Sequence, residues 1–298
     1  MKQTLSAAGF RIDTKTVSLC MAVAMMTALP GLTVADEEQN PRFGKIKGTG
    51  GVSSISGVGG GGLTPWATLS SYAEAGQLGG TVFASQARVD DYQLDIYGGS
   101  FNFHDKVEVS YVRQDFLIEA ADLNIRQDKI GLRYKVAGDV IYDRLPQITV
   151  GVEHGELRDE AVALSVGARE TRGTDYTISM ARAWINGIGH RTTLLNVNLR
   201  YGDSNQFGIL GYGGDDADTR VNVEVAGAMF LNRSVAVGFE WRQKPDNLSA
   251  LKEENAHDLF VAYFPNKRLS FTAAWVDLGE IAGAPDQRGV YFSLQANL

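Results

Sequence analysis

Apolar and polar residues alternate with a period of two along most of the chain. At the C-terminal end Val290, Phe292, Leu294, Ala296 and Leu298 interleave with Tyr291, Ser293, Gln295 and Asn297. Successive side chains of an extended strand point to opposite faces, so this spacing predicts a strand with one apolar and one polar face. The same arrangement recurs at 130–136, 148–153, 195–201, 221–225 and 235–242. At 92–96 the apolar row is Tyr92, Leu94 and Ile96, set against Gln93 and Asp95. Alternation is weakest at 78–88.

Two architectures accommodate such strands. In a soluble sandwich the apolar face is the core; in an outer-membrane barrel it meets lipid and the polar face lines the lumen. Strand length and loop order favour the barrel. Most segments exceed the five or six residues usual in soluble sheets and suit the about 9–11 that a tilted membrane strand needs. Counted back from the C-terminus, long links (279–286, 244–256, 202–218, 156–172, 116–125) alternate with short ones (265–267, around Asn232, 186–189, His104) and one of intermediate length (139–145). Outer-membrane barrels have short periplasmic turns and longer outer loops. Candidate strands fall near 49–57, 63–73, 77–88, 91–103, 105–115, 126–138, 146–155, 173–185, 190–201, 219–231, 233–243, 257–265, 267–278 and 287–298. The expectation is an all-β, transmembrane, antiparallel up-and-down barrel of about fourteen strands. Twelve is the alternative, because the glycine- and serine-rich first segment could instead be a plug.

The N-terminus reads as an export signal. Lys2, Arg11 and Lys15 precede the apolar stretch from Val17 to Leu29, and Thr33-Val34-Ala35 suits cleavage. Residues 1–35 are thus a leader and 36–298 the barrel, with 36–62 a periplasmic or lumen-plugging segment. The 298 residues contain one cysteine, Cys20, which leaves with the leader, so no disulfide or cysteine-based metal site is expected. A net charge of −7 argues against nucleic acid. No run after the leader is long enough for a spanning helix.

The chain resembles an uncharacterised family of proteobacterial outer-membrane proteins built on a domain of unknown function. The stretches that carry the resemblance begin with Gly60-Gly61-Gly62-Leu63-Thr64-Pro65-Trp66-Ala67, Leu210-Gly211-Tyr212-Gly213-Gly214-Asp215 and Lys244-Pro245-Asp246-Asn247-Leu248. Phe264-Pro265-Asn266-Lys267, Phe271 to Gly279 and Asp286 to Gln295 continue it. The resemblance implies a membrane barrel and brings no catalytic residue.

On the lumen side the pattern places Glu108, Arg133, Lys135, Glu153, Arg200, Glu224, Glu240 and Arg242. Such a row is either a charged constriction that selects solutes or an ion-pair network that fills the interior. The inward Gly131, Gly151, Ala236 and Gly238 favour open volume. Asp215, Asp216 and Asp218 are weak candidates for a divalent cation in an outer loop, and otherwise no metal or cofactor is expected. Trp66, Tyr92, Trp184, Tyr201, Trp241, Tyr263, Trp275 and Tyr291 suit interfacial girdles. The four histidines, His104, His154, His190 and His257, come without a Gly-x-Ser-x-Gly elbow, so a hydrolase is disfavoured. The expected role is a porin-like channel for small polar solutes in the outer membrane. Its partners would be outer-membrane lipid and lipopolysaccharide, with barrel-assembly machinery during insertion. The alternative is a closed structural or interaction barrel.

Overall fold

A computed structural model describes residues 45–215 and 219–298. The leader at 1–35, the residues up to 44, and Asp216 and Asp218 lie outside the described residues. Twelve antiparallel strands form the wall: β1 (Leu78–Val89), β2 (Tyr92–Phe103), β3 (Val107–Ile118), β4 (Leu123–Ala137), β5 (Gln147–Leu157) and β6 (Arg172–Trp184). They continue as β7 (Thr193–Gly202), β8 (Arg220–Phe230), β9 (Val235–Arg242), β10 (Ala256–Tyr263), β11 (Leu269–Asp277) and β12 (Arg288–Asn297). Each pairs with its sequence neighbours, and β1 pairs with β12, which closes the sheet. Closure leaves no strand edge with unpaired N–H and C=O groups in hydrocarbon.

The count is twelve, not fourteen. Residues 49–57 and 63–73 carry only isolated bridges, Ser53 with Gly59 and Gly60 with Pro65. This stretch is rich in glycine and serine and has no continuous apolar row to set against lipid. The loop phase follows the sequence. Short turns at 104–106, 231–234 and 264–268 share one rim with the 138–146 and 185–192 links. The long connections 158–171, 203–219, 243–255 and 278–287 share the other. On that second rim the two-residue β1–β2 turn and the four-residue β3–β4 turn (119–122) are exceptions; the long link expected at 116–125 is mostly strand, because β3 runs to Ile118 and β4 starts at Leu123. One long loop holds a single helical turn, α1 (Ala161–Ser165).

The outer wall is apolar around the barrel. On β4, Ile130, Leu132, Tyr134 and Val136 are 57%, 51%, 48% and 48% exposed, while the intervening Arg133 is 1% exposed. Val150 and Val152, Ile178 and Met180, Leu259 and Val261, and Phe271 and Trp275 continue the ring on β5, β6, β10 and β11. A water-soluble protein rarely shows an apolar patch of that extent. This closed barrel with its apolar ring is an outer-membrane protein.

Along β3 and β4 the wall changes character. Outward residues pass from Val109, Tyr111, Leu132 and Ile130 to Arg113, Asp115, Asp128 and Arg126, which pair across the two strands at 2.7 and 3.0 Å. Inward residues pass the opposite way, to Val112, Phe116 and Ile125, all buried. Above this level the wall follows globular rules, polar outside and apolar inside. The β2 row Tyr92, Leu94 and Ile96 lies in this upper zone and points inward, the reverse of the lipid-facing assignment. Tyr92 stacks on Phe116 there, with ring centroids 5.1 Å apart.

Candidate functional site

The lumen is filled by two segments of the chain. The first is the N-terminal stretch 50–71, held by inward side chains from eight strands around the circumference, including Ser100 and Asn102 of β2. Gln295 on β12 accepts the Ser53 hydroxyl at 2.8 Å and donates to the Gly50 carbonyl at 3.1 Å. Ser270 on β11 donates to the Gly51 carbonyl. Gln114 on β3 donates to the Ile55 carbonyl at 2.6 Å. Gln147 and Thr149 on β5 both donate to the Ala67 carbonyl at 2.6 Å. Asn196 on β7 accepts the Ala67 N–H at 2.9 Å and donates to the Pro65 carbonyl at 3.1 Å. Only a segment inside the barrel reaches partners so distributed.

Two charged clamps dominate. Arg133 donates to the carbonyls of Gly59 (2.8 Å), Thr68 (3.2 Å) and Trp66, and lies 3.5 Å from Glu108. Glu108 accepts the N–H groups of Gly59 at 3.1 Å and Ser70 at 2.5 Å. Glu240 on β9 accepts the Leu63 N–H at 2.7 Å, the Thr64 hydroxyl at 2.5 Å and the Trp66 indole N–H at 3.0 Å. Charge-assisted bonds of this kind are about twice as strong as neutral ones. Gly61 permits the second clamp: a Cβ there would lie 2.1 Å from a Glu240 oxygen.

The second segment is the β7–β8 loop. Phe207, Ile209, Leu210 and Tyr212 are buried. Tyr212 fits against the inward Gly155 and Gly173, where a Cβ would meet its hydroxyl or ring at about 2 Å, and its hydroxyl accepts from Gln127 at 2.9 Å. Gln206 and Phe207 hold left-handed φ values of 43° and 61°. Such strain persists only where surroundings over-determine the backbone. Here Lys129 donates to the Phe207 carbonyl at 2.5 Å, and the Arg242 guanidinium sits 4.7 Å from the centre of the Phe207 ring. Glu253, in the β9–β10 loop, accepts the Gln206 N–H at 2.8 Å. Lys244 donates to the Gln206 side-chain oxygen at 2.8 Å. Burial pushes the Glu253 carboxyl up to about 7, and burial pulls the Lys244 ammonium down to about 8.

Below that loop lies a buried ion cluster. Arg200 reaches Glu224 at 2.7 Å, Glu153 at 3.0 Å and Asp175 at 3.1 Å, and Arg242 reaches Glu224 at 3.3 Å. All eight residues of the inward row thus face the lumen. They divide among two plug clamps, this cluster, and Lys135, which pairs with Asp105 at the short-turn rim at 2.7 Å. Asp175, Lys129 and Asp258 also belong to the interior and were missed. Asp175 alternates with Tyr176 and Ile178, and Lys129 extends the inward row of Gly131, Arg133 and Lys135 by one step, so both are readable in the sequence. Asp258 lies across from Glu240.

Other expectations are redistributed. Trp66 is inside the lumen and Tyr291 faces it, so neither is in a girdle, whereas Trp184, Tyr201, Tyr263 and Trp275 are exposed on the outer wall. Gly131 and Gly238 leave no open space, since a Cβ on Gly131 would meet Val58 at 2.8 Å and one on Gly238 would meet Phe260 at 2.4 Å, whereas Ala236 borders an apolar cavity. Asp215 accepts the Ser249 N–H at 3.0 Å, and no group of three His, Cys, Asp or Glu residues converges among the described residues. His154 lies 2.9 Å from the Thr174 hydroxyl on the outer wall.

Solved structures with a similar trace are outer-membrane barrels. They include a KdgM porin (10% identity, TM-score 0.45, 72% of this chain and 98% of that one). They also include Omp33 of Acinetobacter baumannii (8%, 0.43, 74% and 96%) and outer-membrane phospholipase A of Escherichia coli (7%, 0.37, 76% and 97%). No curated protein matches the sequence. A family profile described as a protein of unknown function (DUF3034) matches residues 49–295, and the chain belongs to that family.

Proposed function

We propose that the protein is a porin-like outer-membrane channel for small polar solutes, closed at rest by its own N-terminal segment. The observation that carries this reading is what fills the lumen. A barrel's bore grows with strand number, and eight strands are just filled by side chains. Here twelve strands enclose two lengths of backbone. A bore closed by chain can open if that chain moves, and behind the chain stands a wall of both charge signs. In the open form Arg133, Lys135, Glu153, Arg200, Glu224, Glu240 and Arg242, with Glu108, would select among solutes. Outer-membrane lipid is the surrounding medium, and lipopolysaccharide and the assembly machinery are the further partners this reading carries.

Enzymatic activity is not part of the reading. The outer-wall pair His154 and Thr174 has no carboxylate or amide orienting the imidazole among the described contacts, and triad chemistry needs one. A second reading, a permanently closed structural barrel, is favoured by the density of hydrogen bonds on residues 50–71. Planar-bilayer recording separates the two. The intact protein should open briefly and seldom, and a variant lacking residues 45–76 should give steady ohmic steps. Silence from both, with folding verified by heat-modifiable gel mobility, would establish the closed barrel instead. In the opened variant, Lys135→Gln should shift the reversal potential toward cation preference.

A further inference from the structure

The short-turn half of the lumen breaks the rule that a porin interior is polar. From β6 to β10 its inward residues are Ala183, Leu194, Ala228, Ala236, Phe260 and Ala262. Between this wall and the plug backbone at 60–62 lies an apolar cavity of about 620 Å3, counting all space free of atoms and its mouth. Trp66, Ile46 and Gly48 form part of the lining.

Lys47 lies between Ile46 and Gly48. Its ammonium donates to the Ser234 hydroxyl at 2.7 Å and to the carbonyls of Phe264 and Pro265 at 3.4 and 3.5 Å. These are neutral acceptors. The two turns that hold it also carry the exposed Arg233, Lys267 and Arg268. Among the described residues none of these four cations pairs with a carboxylate. An apolar chamber with a cationic lip is complementary to a molecule with a hydrocarbon chain and one anionic end. Polar solutes crossing the upper lumen have no use for it.

We propose that this cavity binds the chain of a single-chain anionic amphiphile, entering from the periplasm with its head group at Lys47. The site requires the plug to stay docked, because residues 46–62 form one of its walls, so it belongs to the closed form and its occupancy is read without any channel opening. The test uses a full-length barrel in which Trp184, Trp241 and Trp275 are changed to Phe, leaving Trp66 as its sole indole. A long-chain fatty acid brominated along the chain is titrated in, and Trp66 emission is read. Saturable quenching is expected. Lys47→Gln should weaken it about fivefold or more, the loss of a hydrogen bond to a charged group. Ala236→Leu, which fills the chamber, should abolish it. Linear quenching no different from that by brominated phospholipid would overturn the site. Equal affinity for the brominated alcohol of the same chain would overturn the head-group assignment. That acid-to-alcohol comparison needs no further substitution, so it decides even if the Lys47 or Ala236 variant misfolds.

Discussion

Removing the Arg133 guanidinium should release the plug. In Arg133→Ala the carbonyls of Gly59, Trp66 and Thr68 lose a charged donor, and Glu108 stays buried without its cation. Hydrogen bonds to charged groups contribute about 1.5–3 kcal/mol each, but three on one guanidinium are not additive. Breaking a fully buried pair from one side costs about 3–5 kcal/mol. At about 1.4 kcal/mol per tenfold, the docking equilibrium should shift roughly 100- to 4,000-fold toward the undocked plug. Amide hydrogen exchange by mass spectrometry reads this directly, since the Gly59 and Ser70 amides are bonded to Glu108 only in the docked state. Protection over 50–71 should collapse while that of β6 to β11 is retained, and openings in a bilayer should become frequent. The double variant Arg133→Met with Glu108→Leu should recover part of the protection, because no lone charge remains buried. Unchanged protection in Arg133→Ala would refute the clamp, whatever the conductance.

Gly61→Val should also undock the plug, since its branched side chain would occupy the Glu240 oxygen's position; Trp66 emission should move to the red while heat-modifiable mobility is kept. Arg200→Leu strands Glu153 and Asp175, leaves Glu224 with Arg242 alone, and should lower urea stability by about 3–5 kcal/mol. Lys252→Ala, at an exposed pair with Glu254, should leave the urea midpoint where it is. Docking of the β7–β8 loop should weaken with rising pH. The Glu253 carboxyl is raised from 4.5 to about 7, so its contribution is complete below about 4.5 and is lost as pH climbs through 7. Exchange at 203–215, corrected for intrinsic rate, should be slower at pH 5 than at pH 8, and Glu253→Gln should flatten the difference. Slower exchange at pH 8 would contradict the burial argument.

Period two identified the wall wherever hydrocarbon touches it, because lipid tolerates only an apolar row. That is why the alternating rows of β4 and β12 are read on the correct faces. The rule fails where the strands rise above the bilayer. On β2 the apolar Tyr92, Leu94 and Ile96 face a small interior core, and alternation alone does not say which side is wet. Aromatic rings fail for the same reason: Trp66 and Tyr291 carry a polar atom that is satisfied inside the lumen, by Glu240 and Ser85 respectively. The inward charges were legible as a row but not as clamps. Their partners are backbone groups of a segment whose own sequence has no period, so nothing local announces the pairing between Arg133 and Gly59.

Gly80 and Leu298 exchange both backbone bonds, at 3.1 and 2.8 Å, where the first strand meets the last. That seam is the final one available to the chain during insertion, since its two halves are the greatest sequence distance apart and closing so long a span is slow. The segment inside is contiguous with the first of those halves. It must therefore be enclosed before the seam shuts, or thread back through a finished ring. A change that weakens the hold of the wall on residues 50–71 should therefore yield empty cylinders, not unfolded chains.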